Sequence, residues 1–190
     1  MEFVNPIRSV EDIEAIKAKL HATNLRDYCL FIFGINAGLR VGDLLRLNLS
    51  DVYTPTWDFK EYVRVKESKT GKTKEFPLGE KTRMAVAEYM NTRKTASLSE
   101  PLFLSREGGS RPISQSQAYR IMSAVAREVG IKERIGTHTL RKTFAYHKYL
   151  AGVDITRIQK LLNHSSPATT LAYIGITRQE LDDIVLNLEL

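Results

Sequence analysis

One stretch of this chain alternates like a pair of strands where nearly everything else follows a helical period. EYVRVKES sets Tyr62, Val63 and Val65 among charges, and KTKEFPL follows it. Between them Lys69-Thr70-Gly71-Lys72 is a turn signal, so the segment reads as a β-hairpin with a basic tip. A chain with one hairpin must build the rest of its core from helices.

Those helices can be read off in order. Ser9 is a candidate N-cap, with acids in the first turn of EDIEAIKAKL. Residues 24–38 predict a largely buried helix ending near Gly38, and Pro55 breaks the stretch after it. Residues 81–95 have helical spacing through Met84, Val86, Ala87 and Met90. A loop at 106–113 precedes helices expected over 114–129, 138–151 and 154–163. Ser166-Pro167 pairs an N-cap with proline at the first helical position, so a short helix should carry Ala168 to Tyr173. Leu181, Ile184, Val185 and Leu188 are spaced as the apolar stripe of a tail helix. The fold class is a mainly helical α+β domain with a small antiparallel sheet.

Composition narrows what such a domain does. The 190 residues fit one domain with its own core. Cys29 is the single cysteine, so no intramolecular disulfide can form. The longest apolar stretch, 28–39, already contains Asn36 and falls short of the ~20 residues a membrane helix needs. The opening MEFVNPIRSV carries an acid and a proline where a signal peptide has a basic start, so a cytoplasmic location is expected. The net charge of +6 is concentrated. Residues 60–74 hold six bases against two acids, and residues 106–148 nine against three. Two basic segments in a mixed chain suggest a polyanion partner.

Several chemistries are poorly served. His21, His138, His147 and His164 form no HExxH pattern, and one cysteine cannot build a zinc site. There is neither a GxxxxGK[ST] phosphate loop nor a GxSxG elbow. What stands out is basic. Arg40 follows a helix end at Gly38, and Asp43 is placed to hold its guanidinium. His138 and Arg141, three apart, share a face at a helix start that Thr137 can cap. A helix N-terminus adds partial positive charge there. Taken singly, each has a plainer reading: Arg40 a surface base, the histidines satisfied helix caps, Tyr173 one of eight tyrosines in a core, Lys69 hairpin polarity.

Together these segments resemble the catalytic domain of the tyrosine recombinases, the phage integrase family. AGLRVGDLLRL resembles the first arginine motif, SKTG the lysine site, HTLRKTFA the His-x-x-Arg motif, and LLNHSSPATTLAYI the second histidine and the tyrosine nine residues later. The likeness runs in order from about residue 7 to 190. Asn163 stands where the family often has glycine, and the family's DNA-clamping N-terminal domain is not found, so residues 1–190 are expected to be a catalytic domain.

The resemblance implies site-specific DNA recombination. Tyr173 would attack a phosphate and leave a 3′-phosphotyrosine; Arg40, Arg141 and His164 would stabilise the transition state. Lys69 would protonate the leaving 5′-oxygen, with Lys72 or Lys74 as alternatives, and His138 would move a proton or orient the phosphate. Positive charge nearby should favour the tyrosinate. Asp43 is a supporting residue; Lys66, Lys72, Lys74, Arg111 and Lys142 are further expected DNA contacts. The partners implied are double-stranded DNA and other protomers in a tetrameric synapse, with no metal or other cofactor. The setting would be bacterial or phage-encoded, on the nucleoid. The rival readings are a type IB topoisomerase and a non-catalytic DNA-binding module with a helix-turn-helix over 154–174.

Overall fold

The computed structural model describes residues 4–93, 96–136, 138–176 and 178–187, the side chains at 179, 181 and 184 excepted. Helix α1 (Val10–Thr23) starts at Ser9, whose hydroxyl accepts from the Asp12 amide at 3.0 Å. Helix α2 (Leu25–Ala37) is apolar nearly all round and buries Cys29 through Phe33, as a central helix must. It ends at Gly38, which adopts φ 60° in the left-handed region. Two short helices, α3 (Val41–Leu44) and α4 (Leu49–Val52), lead into the hairpin.

Strands β1 (Tyr62–Lys66) and β2 (Thr73–Pro77) pair antiparallel, with Val63 opposite Phe76 and Val65 opposite Lys74. Both alternate exposed and buried, so these four side chains face inward. Then come α5 (Glu80–Met90), α6 (Gln115–Glu128), α7 (Thr139–Leu150), α8 (Ile155–Leu162), α9 (Pro167–Ile174) and α10 (Arg178–Asn187). The α+β expectation holds, with a two-stranded sheet beside a helical body.

The main core joins α1, α2, α5, α6 and the hairpin through Leu30, Phe31, Phe33, Val63, Val86 and Phe103. Each fully buried side chain of this kind stabilises the fold by about 1.5–3 kcal/mol. Helices α2 and α7 approach closely because the α2 side of the contact is glycine. A Cβ at Gly34 would lie 2.5 Å from Leu140 Cδ1, and one at Gly38 2.5 Å from Phe144 Cδ1. That approach sets the first turn of α7 beside the end of α2. A second cluster, with Phe144, Tyr146, Ile158, Leu162 and Ile174, binds α7, α8 and α9 together.

The N-terminal segment crosses this second cluster. The Ile7 amide donates to Thr143 Oγ1 at 2.9 Å, and Arg8 Nη2 donates to the Gly175 carbonyl at 2.8 Å.

Three expectations need correction or fall outside the described residues. The helix predicted over 81–95 stops at Met90, where the Thr92 hydroxyl donates to the Tyr89 carbonyl at 2.7 Å and closes the end. Its inner face is Thr82, Ala85, Val86 and Tyr89; Met84 is exposed. The cap expected of Thr137 lies outside the described residues, as do Leu188 and the side chains of Leu181 and Ile184. Of the tail stripe, Val185 is exposed. Helix α10 is tied to α7 by Tyr146 Oη donating to Glu180 Oε1 at 2.6 Å. Among the described residues no helix is long and apolar enough to cross a membrane.

Candidate active site

A cleft of about 480 Å³ opens between the hairpin tip, the start of α7 and the α8–α9 junction. Its walls include Arg40, Lys69, His138, Arg141, Lys142, His164 and Tyr173. Each arrives from a different piece of local structure. Arg40 is the N-cap residue of α3, two residues beyond the left-handed turn at Gly38. His138 is the N-cap residue of α7, and Arg141 follows on the same face. Asn163 ends α8 in the left-handed conformation, φ 52°, which turns the chain so that His164 enters the cleft. Tyr173 stands in the last turn of α9.

Arg141 is 1% exposed and braces three elements. Nη1 donates to the Gly38 carbonyl at 2.9 Å, Nη2 donates to the Leu162 carbonyl, and Nη1 lies 3.5 Å from Glu67 Oε1. Arg40 Nη1 is 3.1 Å from the same Glu67 oxygen. The Tyr173 hydroxyl lies 3.4 Å from His138 Nδ1, and His164 Nδ1 lies 3.1 Å from Thr170 Oγ1. The His164 ring also meets the Tyr173 ring edge-on at 5.0 Å between centroids.

The electrostatics follow from burial among cations. Burial, with Arg141 and Arg40 adding to it, pushes His164 down to about 4, so its ring is neutral at pH 7. His138 is lowered from 6.5 by burial first and then by Arg141, Arg40, Lys142 and Lys69. Burial pushes Tyr173 up to about 12, against the opposing pull of Arg141 and Arg40. The nearby cations pull toward the tyrosinate, as expected, but burial outweighs them. They moderate the cost of burial without cancelling it, and the resting group is the phenol.

This arrangement has a phenol beside an imidazole that can accept its proton, under two guanidiniums and within reach of a lysine. It is suited to nucleophilic attack on a phosphate diester. The sequence signature described as the phage integrase family matches residues 9–180. The chain belongs to the phage integrase family. It is 45% identical to "Probable integrase/recombinase YoeC" of Bacillus subtilis (strain 168), over 93% of this chain and 92% of that protein. It is 36% identical to the tyrosine recombinase XerC of Thermodesulfovibrio yellowstonii over 84% of this chain, but spans only 53% of that protein. Among solved structures it is similar to the crystal structure of XerA recombinase, with a TM-score of 0.78 and 23% identity over 98% of this chain and 65% of that one. A XerH site-specific recombinase bound to its difH substrate gives a TM-score of 0.73 at 18% identity, over 97% of this chain and 53% of that one. These last two likenesses carry the fold.

Within this integrase-family chain the six expected catalytic residues all line the one cleft. Two other expectations change. Lys74 is buried at 6% exposure, and its ammonium donates to the Ala37 carbonyl at 2.9 Å. Burial and neighbouring Arg141 push it down to about 8. Opposite Val65 it faces the core, so it is neither a DNA contact nor an alternative acid. Lys142 is also buried, but it lines the cleft with its ammonium 5.1 Å from the centre of the Tyr173 ring. Lys66, Lys72 and Arg111 are exposed, as a DNA contact requires; Lys72 is not among the cleft-lining residues.

Asp43 does not hold Arg40 as expected. Its Oδ2 lies 3.9 Å from Arg40 Nη1, too far for a hydrogen bond. Its Oδ1 accepts from the Ser68 amide at 2.9 Å, the Ser68 hydroxyl at 2.8 Å and Arg46 Nη2 at 2.7 Å. Asp43 therefore anchors the hairpin next to Lys69. The carboxylate that meets both arginines is Glu67, which sequence reasoning missed. It occupies a solvated-looking position in a charged run, and only its inward register with Val63 and Val65 could have flagged it. Among the described residues no three His, Cys, Asp or Glu side chains are grouped as a metal site would need.

Proposed function

We propose that this chain cleaves and rejoins double-stranded DNA at specific sites through a covalent 3′-phosphotyrosine. The observation that carries this reading is the Tyr173 hydroxyl 3.4 Å from His138 Nδ1 in a cleft lined by Arg40, Arg141, His164 and Lys69. Tyr173 Oη attacks phosphorus and gives its proton to His138. Arg40 and Arg141 donate to the non-bridging oxygens as negative charge builds there, and His164 adds a further hydrogen bond. The bond from phosphorus to the 5′-oxygen breaks, and Lys69 protonates that oxygen. One phosphodiester is exchanged for another, so no nucleotide is consumed. A 5′-hydroxyl then reverses the steps to rejoin the strand.

On this reading residues 1–190 act as the catalytic domain, and Lys66, Lys72 and Arg111 contact the DNA backbone around the cleft. Recombination takes place on the bacterial nucleoid, between protomers assembled as a tetramer on DNA, with α10 docking on a neighbour. Integration or excision of a mobile element is the role proposed. The test is a suicide duplex nicked just beyond the cleavage site, which loses its short 5′-hydroxyl fragment and traps the cleaved strand. A protein–DNA band stable to denaturant supports the reading. Sequence-selective binding without any such band would favour a DNA-binding module instead.

A further inference from the structure

The cleft described above does not hold itself together, because its cations repel one another and come from elements far apart in sequence. We propose that Glu67 is the positioning residue of this site, its buried carboxylate locking Arg40, Arg141, the Lys69 turn and the residue before His164 into one arrangement before DNA arrives. The proposal rests on the recombinase reading.

Glu67 has no exposed surface and does not line the cleft, so it reaches the cations from behind. Oε1 lies 3.1 Å from Arg40 and 3.5 Å from Arg141. Oε2 accepts from the Thr70 hydroxyl at 2.8 Å and from Asn163 Nδ2 at 3.3 Å. Its own backbone closes the hairpin tip: the Glu67 amide donates to the Lys72 carbonyl, and the Gly71 amide donates to the Glu67 carbonyl, both at 2.9 Å. One residue thus touches the α3 N-cap, α7, the turn carrying Lys69 and the α8 C-cap. Burial alone would raise its carboxyl, yet the Thr70 and Asn163 hydrogen bonds and the Arg40 charge hold it below its usual range. It is therefore a full negative charge in the interior, kept there by its partners.

Asn163 supports this assignment independently. Its backbone adopts φ 52°, a conformation glycine takes at no cost. Glycine would supply no donor, whereas Asn163 turns the chain toward His164 and also reaches Glu67.

A positioning carboxylate and a mere charge balance predict different outcomes. If Glu67 only offset positive charge, removing it would tighten DNA binding and leave cleavage alone. As a positioning residue it governs the rate at saturating DNA. Glu67→Gln should slow single-turnover cleavage by about 100-fold, the scale of a misplaced catalytic constellation, while the Kd for the same duplex moves less than about threefold. Glu67→Asp keeps the charge and should recover about tenfold of that loss. Independently of activity, the Nε–H groups of Arg40 and Arg141 should lose order in Glu67→Gln by NMR relaxation, and Glu67→Asp should restore part of it. If the wild-type chain forms no adduct, the recombinase reading falls and the arginine relaxation still decides the positioning role. If Glu67→Gln does not fold, Glu67→Asp decides, with slower cleavage or looser arginines at unchanged Kd supporting the proposal. A wild-type rate with unchanged arginine order, a loss that merely tracks the unfolded fraction, or equal defects in both variants would overturn it.

Discussion

Tyr173 and His138 meet hydroxyl to Nδ1 at 3.4 Å, a long contact that a bound phosphate can tighten. The phenol is pushed up to about 12, and the imidazole lies below its usual 6.5. At pH 7 the pair is therefore a neutral acid beside a neutral base. Adduct formation should be flat through neutral pH and fall on the acid side of 6.5, where His138 gains a proton and can no longer accept one. His138→Gln should remove that acid limb and lower the plateau. Single-turnover rates across the range decide this, and an inflection above 6.5 would contradict it.

Lys69 is the lysine of the hairpin that lines the cleft. Lys69→Ala should slow cleavage of an ordinary duplex by about 100-fold or more, the scale of general acid catalysis. A duplex with a 5′-bridging sulfur should lose little, since a thiolate leaves without a proton. Equal losses on both substrates would move the acid elsewhere, with Lys72 next to be tested.

Lys74 is buried on the inner face of β2, whereas Lys72, two residues earlier in the turn before that strand, is exposed. Lys72→Met should reduce the steepness of log K against log salt by about 0.9, the value of one phosphate contact. Lys74→Met should leave that slope alone and lower the Tm, because the Ala37 carbonyl loses its donor. A shallower slope for Lys74→Met would return this lysine to the DNA face.

Gly38→Ala tests how the fold builds the site. The position holds φ 60°, and an added Cβ would meet Phe144 at 2.5 Å. Destabilisation of about 1–3 kcal/mol or more is expected from strain and overpacking, measured by denaturant unfolding. Cleavage should suffer beyond the lost folded fraction, since the Gly38 carbonyl holds Arg141. Wild-type stability would contradict the close approach of α2 and α7.

Much of this was legible in the sequence wherever the signal was local. Ser9 and Ser166 cap helices because a hydroxyl beside free amides is a near-neighbour effect. The hairpin followed from its period of two, and that same period already placed Lys74 beside Phe76 on the inner face, a consequence the basic character of the segment concealed. For Glu67 only the inward register with Val63 and Val65 was legible; its partners Arg40, Arg141 and Asn163, up to 96 residues away, were not. Nor was the rise at Tyr173, where desolvation and cation attraction oppose each other and only geometry sets the balance.

The mechanism turns on which oxygen bonds to phosphorus. A trapped adduct digested with trypsin and a nuclease, then read by mass spectrometry, answers this directly. A nucleotide mass is expected on the peptide LLNHSSPATTLAYIGITR, whose only tyrosine is Tyr173, and no adduct at all from Tyr173→Phe that still binds the duplex. A nucleotide on any other peptide, or an adduct from the phenylalanine variant, would contradict it.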